Sequence, residues 1–559
     1  METIHKAGRL LLVLMQHFNG RGNTMKTSKN IAIICILFSL LALNGCKDYL
    51  TAPEPGVTQL EDFFTSKESA IQTSTGCYVP LMWEFQNTYC SEWFIGDVVS
   101  DDALKGGQST SDMGAAYDME NWKTTSSNVL LLDYYRAQYQ GIGRCNLGLK
   151  YVADMKVDTA FTPQLKNRIL GEMHFLRAYY YFRLVRVFGQ VPLVTEVLDS
   201  EDKWAQERAS VEDIFNLILS DLKFAQQNLM LKSKMEDEDL GRATKGAAQA
   251  MLQKTYLYMA SPYWKKQLSG SEVDYAKQAK MWGDSVIKSN EYDLVTAADY
   301  GKMFFEISGE NGIESVFEIQ YAAVPWGDYN EGFGFTAGSF TQRLVRSRST
   351  ALTDKDAGWG FNHPTQNLYD EFESTDMRRD ISILNPTDAE IVNASQEIYL
   401  GSRYLNRKYG WYGHKLDHDS RGPLNNKQIR YADVLLMQAE ACLLAGEGDP
   451  TTYLNQVRTR AGLPTYPGYS FMVNGVNIAS PSLQEAIRHE RRMELAMEGH
   501  RWFDLVRWGD TKEHMEAYQA TESAEAKAQM GKFVAGKHEI FPIPAEEIEL
   551  NPMTQNPGY

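Results

Sequence analysis

The sequence predicts a mostly α-helical protein, a scaffold of degenerate tetratricopeptide-like helix pairs with long loops and a few short strands. Three observations point there. Apolar residues recur at helical spacing in segment after segment. Ala and Tyr stand where paired helices would touch, and small residues permit close approach. Residues 87–128 and 305–427 lack any sustained helical period and read as loops. No exact repeat of about 34 residues is present, so the units would be degenerate.

The first 45 residues read as an export signal and not as fold. Lys26 and Lys29 precede an apolar run, Ile31 to Leu43, and Leu43-Asn44-Gly45-Cys46 follows. A basic start, a short apolar stretch and a small residue before the cut describe a secretory signal. The run is shorter than the ~20 apolar residues of a membrane-spanning helix. Gly45-Cys46 resembles a bacterial lipobox, which implies a mature chain beginning at a lipidated Cys46. A complete signal begins at Met25, the expected true start.

Losing residues 1–45 removes five Lys/Arg and one Asp/Glu, moving the formal net charge from −16 to −20. Such a chain is not drawn to nucleic acid, whose affinity comes from cationic neutralisation of phosphates. Nor does it cling electrostatically to anionic lipid, so membrane attachment would come from acyl chains alone. Cys77, Cys90, Cys145 and Cys442 are scattered and suggest neither a zinc site nor a disulfide framework. Cys145 and Cys442, inside helical patterns, read as small buried apolar residues.

Asp48 to Pro55 is extended and Pro-broken, a tether. A first helix is expected from Ser66, its N-cap, to about residue 86. The next spans 129–153, weakened by Gly141 and Gly143. A third, 164–188, is apolar on more than one side and should be buried between neighbours, with Arg177, Arg183 and Arg186 as partners for acids. Further helices are expected over 211–228, 244–259, 275–289, 428–445, 449–460 and 482–498. Residues 312–320 alternate like a short strand.

The stretch from Glu485 to Gly509 carries the densest pattern. It reads as two helices broken at Gly499, which can take the left-handed conformation. Arg488, Arg491 and Arg492 interleave with Glu490, Glu494 and Glu498 in the first helix. Trp502 and Trp508, in the second, are expected to be buried. His489-Glu490 invites a zinc reading, but the second His of that motif is replaced by Met493. A structural network of Arg, Glu and Trp is the expectation.

This stretch resembles the C-terminal signature of the SusD/RagB family of outer-membrane nutrient-binding lipoproteins. Three further segments match in order and spacing: Ile429 to Ala441, Phe541 to Ile548 with the tail to Tyr559, and Phe175 to Phe182 with Phe188 to Pro192. The resemblance implies the helical scaffold and a body divided as 46–230 and 231–559, folded as one unit. It also implies a cell-surface lipoprotein acting as lid on a SusC-type TonB-dependent transporter. Lys47-Asp48 partly resembles the surface-export signal of such lipoproteins.

Three aromatic-rich loops are candidates for binding. They contain Trp93, Asp97 and Asp101, followed later by Trp122; then Tyr321, Trp326 and Tyr329; then Trp359, with Trp411 further on. Sugar rings present flat C–H faces to indole and phenol rings, and their hydroxyls need nearby polar groups. The resemblance places ligand contacts in two such regions, a loop after the first helix and an aromatic segment in mid-chain. Trp326 and Tyr329, flanked by Gly, Asp and Asn, look least like core. Asp328–Gly332 and Asp354–Gly358 place Gly fifth, where a calcium loop needs it sixth, so they read as turns. No P-loop or GxSxG elbow appears, and no cofactor is expected. The function expected is glycan or oligosaccharide binding without catalysis. A surface glycoside hydrolase using two carboxylates, or a scaffold binding only protein, are the alternatives.

Overall fold

Helices form where the stripes and caps fall. The computed structural model describes residues 60–82, 92–324, 337–353, 355–394, 397–410 and 412–559. The expected signal, Cys46, Cys90, Trp326, Tyr329 and Trp411 lie outside these residues. Leu60–Phe63 is a short helix of an N-terminal unit that ends at Thr65, and Ser66–Tyr559 is a separate compact unit.

In that second unit, α1 (Lys67–Tyr78) starts at Ser66, whose side chain accepts from the Ser69 N–H in a reciprocal capping box. The chain continues through α2 (Gly114–Glu120), α3 (Val129–Asp154), α4 (Pro163–Phe188), α5 (Val211–Asn228), α6 (Lys245–Ala260) and α7 (Glu272–Ile287). Then come α8 (Gln366–Glu371), α9 (Tyr431–Ala445), α10 (Pro450–Arg460), α11 (Leu483–Leu495), α12 (Arg501–Trp508) and α13 (Thr511–Thr521). Consecutive members α3 to α7 pack side by side, and α9 and α10 extend the row. This is the mostly α scaffold of helix pairs that the sequence predicts.

The strands are short and paired in antiparallel ladders: β1 (Ala103–Gly106) with β3 (Phe361–Pro364), and β2 (Ser315–Ile319) with β6 (Asn426–Arg430). β4 (Ile383–Leu384) pairs with β5 (Leu405–Asn406), and β7 (Phe471–Val473) with β8 (Val476–Ile478). The helix expected from residue 428 begins three residues later because Lys427 and Ile429 alternate inward on β6.

The glycines of α3 do not break it. Gly141 lets the Tyr180 ring of α4 lie on the α3 backbone, and a Cβ there would stand 2.2 Å from that ring. On α4, every residue from Ile169 to Phe188 except His174 is buried. Its arginines find acids: Arg177 donates to both oxygens of Asp221 at 2.8 Å, and Arg183 and Arg186 face Glu92. Cys77, Cys145 and Cys442 are buried free thiols.

The break after α11 is a turn with Met497 and Gly499 at positive φ. It is pressed against the N-terminal half: a Cβ on Gly96 would meet the Gly499 carbonyl oxygen at 2.0 Å. Trp502 and Trp508 are buried.

His489, Glu490, Arg491, Arg492 and Glu494 of α11 lie inside the core, and they pair with other segments instead of along their own helix. Glu494 accepts from Arg460 at 2.6 Å, Arg430 at 2.8 Å and Arg378 at 2.9 Å. Glu490 accepts from Arg378 and Arg458. Arg491 reaches Asp433 and Asp504, and Arg492 reaches Asp101, Asp102 and Glu371. Buried ions need several good partners each, and one helix face cannot supply them. Among the described residues, no group of His, Cys, Asp and Glu is placed to hold a metal ion.

Candidate functional site

A cavity of about 680 Å³ opens between the start of α3, the β1–α2 loop and the loop leading into β3. Its walls are Trp359 and Phe361 on one side, and Gln108, Asp112, Met113, Gly114 and Ala115 on another. Val129 and Leu130, the first residues of α3, and Arg348 complete it.

Each wall has a local cause. Asn128 caps α3 by accepting from the Leu130 and Leu131 N–H groups, which sets Val129 at the rim, 51% exposed. Trp359 is half-buried: its backbone N–H donates to the Arg343 carbonyl at 2.9 Å, and its ring packs 5.6 Å from Phe340. Phe361 is held by the β1–β3 ladder opposite Gly106. Arg348 is anchored from behind by Glu397, which accepts its backbone N–H at 3.0 Å and stands 3.6 Å from Nε. At that distance the guanidinium is paired electrostatically and keeps N–H donors for a ligand. An indole face, an apolar rim and a few fixed polar groups suit a saccharide, whose ring faces are apolar and whose edge is hydroxyl-rich.

Charge on this lining balances, with Arg348 positive and Asp112 negative. Asp112 is also the only acid lining the cavity among the described residues. A second groove of about 580 Å³ is a poorer match for a sugar, with Arg208, Lys266, Lys512, Glu513 and Glu539 around one Tyr263.

The structure brings one of the sequence candidates, Trp359, to the cavity. Trp93 is buried, stacked 3.9 Å from Phe94, with Nε1 donating to Thr341 Oγ1. Asp97 and Asp101 are fully buried. Asp101 accepts from Arg501 at 2.7 and 2.9 Å and from His514 at 2.7 Å, and the charges of Arg492 and Arg501 hold its carboxyl well below the usual range against the effect of burial. Asp97 accepts from the Gly499 N–H at 2.8 Å, and burial pushes its carboxyl up to about 8. Trp93, Asp97 and Asp101 are therefore corrected from ligand contacts to structural residues. Tyr321 is buried, its N–H donating to Asn425 at 2.9 Å. Trp122 is half-buried, away from the cavity, and packs edge-on against Phe533 at 5.4 Å.

Gln108, Asp112 and Arg348 escape a sequence reading because each sits in a polar loop stretch, 108–112 or 346–350, where no pattern marks one residue out. The one local signal is Gly106-Gly107, a tight turn that aims the following residues.

Comparison with known proteins finds relatives that cover most of the chain. A family profile described as "SusD family" matches residues 374–559, and one described as "Starch-binding associating with outer membrane" matches residues 62–257. A SusD-like protein P2 of Formosa agariphila is 25% identical over 550 residues, 94% of this chain and 99% of its own. SusD-like protein P38 of the same organism is 27% identical over 522 residues, 88% of this chain and 94% of its own. Among solved structures, a laminarin-binding SusD-like protein superposes with TM-score 0.72 at 28% identity, covering 89% of this chain and all of that one.

Proposed function

The chain belongs to the SusD/RagB family, and on that premise we propose that it is an outer-membrane surface lipoprotein that captures a neutral glycan and passes it to a SusC-type TonB-dependent transporter. The observation that carries the binding step is Trp359 on a cavity whose other polar groups, Gln108, Asp112 and Arg348, sum to no net charge. A chain at −16 overall repels polyanions, so sulfated and uronate polymers are disfavoured. The similarity to a laminarin-binding protein makes laminarin the first ligand to try. Trp326 and Tyr329 are proposed as further ring contacts. Among the described residues that flank them in sequence, the Ala322 N–H donates to the Ala337 carbonyl, close in sequence to Phe340, which packs on Trp359.

Calorimetry against a polysaccharide panel tests this reading. One stacked ring contributes about 0.5–1.5 kcal/mol beyond area burial, so Trp359→Ala should weaken binding roughly threefold to tenfold or more. Unchanged affinity in a folded Trp359→Ala protein would move the site elsewhere.

Attachment is assigned to acyl chains on Cys46, which follows Leu43-Asn44-Gly45. Cys46→Ala should move the protein from the detergent phase to the aqueous phase and abolish palmitate labelling. Retention of both would end the anchor assignment. From native membranes, the wild type should bring down one large β-barrel through a permanent interface of about 2,000 Å² or more.

A further inference from the structure

Beside the proposed site, Lys105 is fully buried, and its ammonium has no carboxylate in hydrogen-bonding contact among the described residues. It donates to three backbone carbonyls of the loop that follows it: Gly106 at 2.6 Å, Ser109 at 3.1 Å and Asp112 at 2.6 Å. An ammonium has three donors, and all three are used. The rings of Phe361 and Tyr399 stand 5.2 and 5.0 Å from Nζ, which suits a desolvated cation. A ring of inward-facing carbonyls is the environment that loops otherwise build around a hard metal ion.

The loop is built to wrap that charge. Gly106 and Gly107 both have φ +77, which turns the chain back at once. A Cβ on Gly107 would stand 2.7 Å from the Phe361 ring and 2.8 Å from Asp112 Oδ2. The Gly107 N–H donates to the Gly360 carbonyl at 2.5 Å, and the Gln108 N–H to Asp112 Oδ2 at 2.9 Å. Glu120 accepts the backbone N–H of Lys105 at 3.2 Å, so the lysine is fixed from the α2 side as well. Burial and the Arg348 charge lower the Lys105 pKa to about 8, partly offset by Glu120 and Asp112, so it is an ammonium at neutral pH.

We infer that Lys105 is a positioning residue for ligand binding, an internal cation that folds residues 106–112 around itself and so fixes the Gln108–Met113 wall of the cavity. This rests on the cavity being the ligand site. Without the ammonium, the Gly106 and Asp112 carbonyls lose their short bonds from Nζ, the Ser109 carbonyl keeps only the Asp112 N–H at 3.1 Å, and the loop opens to hydrate them. An unfixed wall must then be ordered when a ligand binds, and that cost appears as lost affinity.

Lys105→Met keeps the length and apolar stem and deletes the donors. Hydrogen exchange of the amides of residues 107–113 is read in the full-length protein, with laminarin as the ligand probe. Exchange there should rise by an order of magnitude or more while α4 and α9 stay protected, and affinity should fall roughly tenfold. Unchanged exchange in that loop overturns the inference. So does faster exchange with wild-type affinity when Trp359→Ala does weaken binding. If Trp359→Ala has no effect, the site assignment fails, and the exchange result still decides whether Lys105 organises the loop. Should Lys105→Met not fold, Gly107→Ala disturbs the same wall with the lysine intact. Wild-type affinity and exchange in Gly107→Ala would overturn the inference, and faster exchange with lower affinity would support it.

Discussion

Replacing Glu494 with alanine is expected to cost about 3–5 kcal/mol of stability, the usual penalty for breaking a buried ion network from one side. Its two oxygens serve three guanidinium groups from three separate segments: Arg378, Arg430 of β6 and Arg460 at the end of α10. Glu494 is 0% exposed, and the arginine charges hold its carboxyl far below the usual range although burial alone would raise it. Deleting the carboxylate leaves guanidinium N–H groups that water cannot reach. Arg430 retains Glu314 and Glu498, and Arg378 retains Asp376 and Glu490, so the loss should be large without being total. Arg488→Ala is the contrast on the same helix. Arg488 pairs with Asp510 at 2.7 Å, but the two side chains are 24% and 45% exposed. Such a pair contributes about 0–1 kcal/mol. Urea unfolding of both variants checks the pair of expectations, and equal midpoints would show that the buried Glu494 network contributes no more than the exposed pair.

How far the sequence could carry this reading depended on distance along the chain. The helices were legible because their signals are local. Ser66, Ser210, Thr244 and Ser271 each accept from the third residue onward, and the apolar stripes begin at once after them. That Arg and Glu in α11 serve structure was also legible, since buried charges must be paired. Their partners were not. Arg492 meets Asp101 and Asp102 across about 390 residues, and no local pattern announces such a contact. For the same reason the stretch from Trp93 to Asp102 was misread. Aromatic rings among acids look like a sugar-binding loop, and the cations that draw Asp101 and Asp102 inward lie on α11 and α12. Trp359, one of the aromatic-loop candidates, lines the cavity. Arg348 and Lys105 were not among the candidates, because a single basic residue carries no pattern until its neighbours are placed.

Asp97 offers the sharpest test of how the N-terminal half meets the turn after α11, because its charge is set by the junction. Burial, with Asp102 nearby, pushes its carboxyl up to about 8 from an ordinary value near 4, despite hydrogen bonds from Asn362 and Gly499. The folded protein therefore keeps a proton at neutral pH that the unfolded chain releases. Between about pH 4 and pH 8 the folded state binds more protons, so this group's contribution is full in acid and is lost as pH rises through 8. Geometry agrees with a neutral acid. Asp97 Oδ1 accepts from Gly499, and Oδ2 lies 3.2 Å from the Asn362 amide nitrogen, while Asn362 Oδ1 is buried without a partner among the described residues. Turning that amide over places Asn362 Oδ1 against a protonated Oδ2, and both atoms are satisfied. Asp97→Asn reproduces this pattern with no proton to lose. Its stability relative to wild type should therefore climb by about 1.4 kcal/mol per pH unit across pH 5–7, flattening near 8. The opposite limb belongs to Glu371 and Asp504, whose carboxyls are both held near about 2 by arginines, against burial, and whose contribution is lost as pH falls from about 4.5 towards 2. That acid limb should be the same in both proteins. Denaturant midpoints of wild type and Asp97→Asn, measured from pH 3 to pH 9, decide the matter: parallel profiles would mean that Asp97 is an ordinary carboxylate.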